Sequence, residues 1–224
     1  MPTDRVEDVE DPRHRRIVEL LASGGRGGWT RDLDRLVWRA GELRVREAAP
    51  QIAALLAGAT DRRAWNVARA LLRCGDPGVA AALQGLRTDP KRPSWVRSMA
   101  VHALAALLQG DFLREIEATI PEAVLEAVAR GQPILSELGE HPELLDALYL
   151  VERLRPQVVA LLGAVPLKAP TFLGIRRVWK AAEARDDGEV YGLLARRFEV
   201  ERAGTANHRI RGGFLPPTRK YLRR

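Results

Sequence analysis

The chain has one cysteine, Cys74, in 224 residues, which excludes an internal disulfide and makes a reducing compartment the default expectation. Aromatic residues are scarce, at 5%. Ala and Leu dominate instead, a composition suited to close-packed helices rather than sheets. No apolar run approaches the roughly 18–20 residues that a bilayer span needs. The opening residues, Met1-Pro2-Thr3-Asp4-Arg5-Val6-Glu7-Asp8, lack the basic-then-apolar order of a signal peptide. The expected location is the cytoplasm.

Chemical motifs are equally sparse. His14, His102, His141 and His208 form no pair at ligand spacing, and there is no second cysteine to help them hold a metal. The run Gly24-Gly25-Arg26-Gly27-Gly28 lacks the Gly-Lys-Ser/Thr ending and the preceding strand of a phosphate-binding loop, and reads as a flexible connection. No Gly-x-Ser-x-Gly elbow occurs, and Ser23, Ser94, Ser98 and Ser136 have no evident histidine partner. The sequence therefore predicts no metal, no cofactor and no catalytic residue.

Positive charge is in excess, at +7, but it is unevenly placed. Arg202, Arg209, Arg211, Arg219, Lys220, Arg223 and Arg224 lie in a terminal segment without Asp or Glu. Taking those seven from the 36 Lys and Arg leaves 29, which equals the 29 Asp and Glu, so positions 1–201 carry no net charge. The overall basicity is a property of the tail and is no sign of a basic face on the body. At the other end, residues 1–12 hold five acids and one base with no apolar period, and read as an acidic flexible arm.

What the sequence does have is a repeated opening: a proline followed by small and branched apolar residues. It occurs at Pro50–Leu56, Pro77–Leu83, Pro121–Leu125, Pro142–Leu148 and Pro156–Leu162. Proline suits the first turn of a helix, where its missing N–H would have had no partner. Amphipathic stripes support the same reading, with Leu33, Leu36 and Val37 behind a Thr30 cap. Ala64, Val67, Ala68, Leu71 and Leu72 form another, ended at Cys74-Gly75-Asp76-Pro77, where Asp76 caps the next helix. Gly41 reads as a helix stop, and Ser94 as an N-cap. A shift of 32 positions lays Val67, Ala68, Leu71 and Leu72 on Met99, Ala100, Ala103 and Leu104. A helical hairpin is expected from Pro142 and Pro156, joined at Leu154-Arg155. Asp186 or Asp187 is expected to cap a last helix reaching Phe198. The pattern predicts an all-α superhelix, an α-solenoid of four to five stacked antiparallel hairpins over 13–200, followed by a basic Gly/Pro-containing tail over 201–224.

Helix pairs of this length, with Asp-Pro at the turn and Val, Ala and Leu inside, resemble HEAT-type (armadillo-like) repeats. Asp61–Leu86 and Ser94–Ile116 carry the resemblance best. The segments Arg177–Asp187, Val190–Glu199 and Thr218–Arg224 are similar to bacterial HEAT-repeat proteins sometimes associated with WGR modules. In those proteins the Tyr-Leu-Arg-Arg stretch leads into further chain, so the resemblance implies either a fragment or a truncated copy.

Two surfaces are candidates for binding. Arg62, Arg69 and Arg73, at i, i+7 and i+11, share one helix face, with Trp65 beside them; Arg176 and Lys180 flank Trp179. Trp95 and Arg97 open a later helix. The tail residues Arg209, Arg211, Arg219, Lys220, Arg223 and Arg224 form a second cationic set. The leading expectation is a non-catalytic scaffold that binds another protein, or a segment of a longer chain, on its concave helices. The alternative is a nucleic-acid binder with cations on phosphates and tryptophans on bases. That alternative resembles the HEAT-like alkylpurine DNA glycosylases. Those enzymes need an acid beside concave tryptophans, whereas Trp65 and Trp95 have no Asp or Glu within two positions.

Overall fold

The computed structural model describes residues 11–24, 29–141, 143–168 and 171–204. Among them the chain is all-helical, without strands. The helices are α1 (Pro12–Gly24), α2 (Arg31–Glu42), α3 (Ala49–Ala54), α4 (Asp61–Cys74), α5 (Ala80–Thr88), α6 (Ser94–Leu108) and α7 (Gly110–Ala118). They continue with α8 (Glu122–Ala129), α9 (Leu135–Glu140), α10 (Leu144–Leu148), α11 (Arg155–Ala164), α12 (Thr171–Ala184) and α13 (Gly188–Gly204). No helix among the described residues is long and apolar enough to cross a membrane.

Proline works as its chemistry requires. Pro50 and Pro156 lie in the first turns of α3 and α11, Pro77 opens a 3-10 turn that leads into α5, and Pro121 immediately precedes α8. Pro142 lies outside the described residues. Thr30 caps α2 by accepting from the Leu33 N–H at 3.1 Å, and Asp76 accepts from the Gly78 N–H. The cap of α13 is Asp187, whose Oδ1 accepts from the Val190 N–H at 3.2 Å. Ser94 departs from expectation. It is the first helical residue of α6, Pro93 takes the cap position, and no side chain caps that end.

The first helices pack in chain order: α2 on α4, α4 on α6, and α5 on α6. The buried stripe of α4 includes Val67, Ala68, Leu71 and Leu72, and their counterparts on α6, Met99, Ala100, Ala103 and Leu104, are buried too. Helix α6 is apolar around most of its girth and contacts α4, α5, α7 and α12, as expected for a helix surrounded by others. Gly41 is not a stop. It lies within α2, where a Cβ would stand 3.0 Å from the Ala70 Cα of α4. Glycine there lets the two backbones approach closely. Gly41→Val is expected to force them apart and lower stability by about 1–3 kcal/mol, measured by urea denaturation.

The C-terminal half departs from simple order. Helices α10 and α11 have their main contacts elsewhere, α10 on α7 and α12, α11 on α8 and α13. Helix α9 follows Pro133 and Ile134, a proline-led start outside the five recurring openings. Helix α12 reaches back to α4 and α6, far away in sequence, a contact that a strictly neighbour-stacked array does not make. Helix α13 continues past Phe198 to Gly204. Of the expected acidic arm over 1–12, residues 1–10 lie outside the described residues and Pro12 opens α1. Of the expected tail over 201–224, residues 201–204 belong to α13, and residues 205–224, with the six candidate cations, lie outside the described residues.

Candidate functional site

The arginine stripe of α4 has two different ends. At its start, Arg62 is exposed and lines a groove of about 820 Å³ between α2 and α4. Arg31, Arg35 and Arg39 come to the same groove from α2, at successive i, i+4 positions, and Arg63 joins them from α4. Asp34 is the one carboxylate in the lining, and it stands 3.5 Å from Arg63 across the two helices. No ion pair among the described residues engages Arg31 or Arg39. Arg35 pairs with Asp32 at 3.3 Å, but both side chains are well exposed, and such a pair contributes little. Trp38 lies among these cations, 40% exposed. Its ring is backed by the Arg69 guanidinium, whose Cζ sits 3.8 Å from the ring centroid.

Towards the end of α4 the stripe is closed over. Arg69 is 1% exposed and donates from Nη2 to Glu42 Oε1 at 3.1 Å. Arg73 approaches the same Glu42 oxygen at 3.7 Å and pairs with Asp186 at 2.8 Å. It also donates to the carbonyls of Glu183 and Ala184 at the C-terminal end of α12, where the helix dipole favours a cation. Asp186 has a φ of 57° and is held by Arg44 as well. A second groove, about 440 Å³, follows this junction between α4 and α12–α13, with acids and arginines mixed along it.

A third polar cluster is buried where α6, α10 and α12 meet. Asp146 accepts from Ser98 Oγ at 2.8 Å and from Arg177 Nε at 2.6 Å, and lies 3.3 Å from His102 Nε2. Serine, histidine and aspartate are thus together, though Ser98 and His102 share the carboxylate and are not hydrogen-bonded to each other. The wiring is not that of a nucleophile and its base, because Ser98 and His102 both turn to the carboxylate rather than to each other. Tyr149 stacks edge-on against His102 and donates to Asp187 at 2.8 Å. The cluster joins three helices electrostatically.

Asp187 in turn accepts from Arg155 at 2.8 Å. Burial alone would raise its pKa, but the hydrogen bonds from Arg155, Tyr149 and the Val190 N–H outweigh that and hold it below the usual carboxylate range. A depressed folded-state pKa stabilises above the unfolded value, ~3.9, and that stability is lost as pH falls through the folded value. Urea midpoints are therefore expected to drop as pH falls below about 4, and Asp187→Asn is expected to flatten that slope. Cys74 is chemically quiet: burial, then Glu47 and Asp76, push its thiol up to about 12, so it is a thiol rather than a nucleophilic thiolate at neutral pH.

The remaining candidates separate in the same way. Trp179 is 2% exposed, stacked 5.8 Å from Tyr191 and packed on Phe198, so it belongs to the core. Lys180 pairs with Glu183 at 3.0 Å and lies over the Trp179 ring. Arg176 and Arg97 are half-buried, and Trp65 packs partly buried against the core. Trp95 is exposed at the start of α6. Of the sequence candidates only Arg62 reaches the α2–α4 groove. The others there, Arg31, Arg35, Arg39, Arg63 and Trp38, had a legible signal: three arginines four residues apart on the polar side of the Leu33–Val37 stripe. Compared with known proteins, the chain matches no family model, no curated protein and no solved structure.

Proposed function

We propose that this chain is a non-catalytic helical scaffold, built of HEAT-like hairpins, that binds an anionic partner in the groove between α2 and α4. One observation carries the reading. Five arginines and an exposed tryptophan converge there against a single carboxylate, in a body, positions 1–201, whose charges sum to zero with these included. Arginine forks suit carboxylate or phosphate oxygens, and clustering them concentrates field where the net charge of positions 1–201 supplies none. The buried Ser98–His102–Asp146 cluster supports a non-catalytic role, since Ser98 and His102 both turn to the carboxylate and not to each other.

Heparin chromatography of the full chain tests the reading. Arg31→Glu with Arg39→Glu is expected to elute at clearly lower salt than the wild type, with stability changed by no more than about 0.5 kcal/mol because both positions are exposed. Unchanged retention would leave the tail, not the groove, as the anion-binding element, and would overturn the proposal.

A further inference from the structure

The α2–α4 groove has the layout of a site for single-stranded nucleic acid, and we infer that this is its partner; the inference rests on the reading of the groove as an anion site. Arg31, Arg35 and Arg39 step along α2 by about 6 Å of helix rise each. That step is comparable to the separation of successive phosphates in an extended single strand. Arg62 and Arg63 face them from α4, so a strand lying in the groove meets guanidinium groups from both walls. An acidic peptide would satisfy these charges equally well. Trp38 distinguishes the two.

Its indole is 40% exposed among the arginines, and it is posed rather than loose. The Arg69 guanidinium lies 3.8 Å from the ring centroid, and Arg69 is itself buried and anchored by Glu42. A guanidinium fixed on one side of an exposed ring leaves a rigid platform for a flat partner on the side facing the groove. Nucleobases offer such a face and glutamate side chains do not. Stacking of this kind needs an unpaired base, which selects a single strand over a duplex. The cations would follow the backbone while the indole receives one base, an arrangement tolerant of sequence.

The test uses the full chain and fluorescence anisotropy with two labelled probes of equal charge, a 12-mer of thymidine and an abasic 12-mer that keeps every phosphate. The thymidine probe is expected to bind at least about 5-fold tighter, the low end of what one base–aromatic stack contributes. Trp38→Leu, which keeps an apolar contact beside Arg69, is expected to bring the two probes to equal affinity. Arg39→Glu is expected to weaken both probes and to reduce the log–log salt slope by about 0.7, one phosphate contact on a single strand. Equal affinity of the two wild-type probes would overturn the inference, and so would a thymidine preference that survives in Trp38→Leu. If Trp38→Leu fails to fold, Arg31→Glu with Arg39→Glu decides, since thymidine-probe affinity untouched by it would place the strand outside the groove. Heparin retention separates the two levels: probes bound equally while the arginine variant still loses retention defeats only the nucleic-acid identity, and unchanged retention defeats the groove itself.

Discussion

Replacing Asp146 with Ala is expected to cost about 3–5 kcal/mol of stability, the range for removing one partner of a buried ion pair. The carboxylate is the shared acceptor of Ser98, Arg177 and His102. Arg177 stands 2.6 Å from it with both side chains largely shielded from water, and His102 is completely buried. Without the carboxylate, α6 and α12 keep their donors and lose the group that receives them. Domains of this size are stable by only about 5–15 kcal/mol, so the variant would sit near or below the threshold for folding. Urea denaturation followed by far-ultraviolet circular dichroism measures this. Asp146→Asn is expected to lose less, because its amide oxygen still accepts from Ser98. Pairing Asp146→Ala with Arg177→Met is expected to recover part of the loss, because no buried cation remains unpaired. A loss under about 1 kcal/mol would show that the cluster is not what ties α10 to α6 and α12.

The second large effect is asymmetric. Glu42→Ala is expected to destabilise by about 3 kcal/mol or more, since it leaves the buried Arg69 without its counter-charge. The same carboxylate serves Arg73, so two cations lose a partner at once. Arg69→Met is expected to cost only about 1–2 kcal/mol, because it keeps much of the packing against Trp38 and leaves Glu42 paired with Arg73. Equal losses in the two variants would mean that the guanidinium–indole contact, and not the ion pair, is the main support there. Urea midpoints on the two single variants decide it.

Local chemistry was readable from the sequence because it depends on neighbours along the chain. Thr30, Asp76 and Asp187 cap where their side chains can reach an N–H two or three residues on. Pro50, Pro77, Pro121 and Pro156 open or precede helical turns for the same local reason. The match between α4 and α6 also carried through, since the paired positions are buried in both helices. What spacing could not tell is what covers a face. The i, i+7, i+11 pattern placed Arg62, Arg69 and Arg73 on one stripe. Whether that stripe meets water or a carboxylate depends on the C-terminal turn of α12, some 110 residues away. Gly41 illustrates the same limit. A glycine near a helix end reads as a stop, whereas its role depends on Ala70 of another helix. Arg31, Arg35 and Arg39 lie on the polar side of the α2 stripe, and spacing alone does not say that Arg62 and Arg63 of α4 stand opposite them.

The molecule therefore uses arginine in two ways. Arg69, Arg73, Arg155, Arg177 and Arg197 are turned inward, onto carboxylates or the carbonyl ends of helices. Arg31, Arg35, Arg39, Arg62 and Arg63 line the groove between α2 and α4. Only the second group should govern binding. The most direct measurement is the salt at which heparin releases Arg69→Met, set against Arg31→Glu with Arg39→Glu in the full chain. The expected result is wild-type retention for Arg69→Met and clearly earlier elution for the groove variant. Early elution of both, or of neither, would contradict a division between arginines that hold the fold and arginines that present the site.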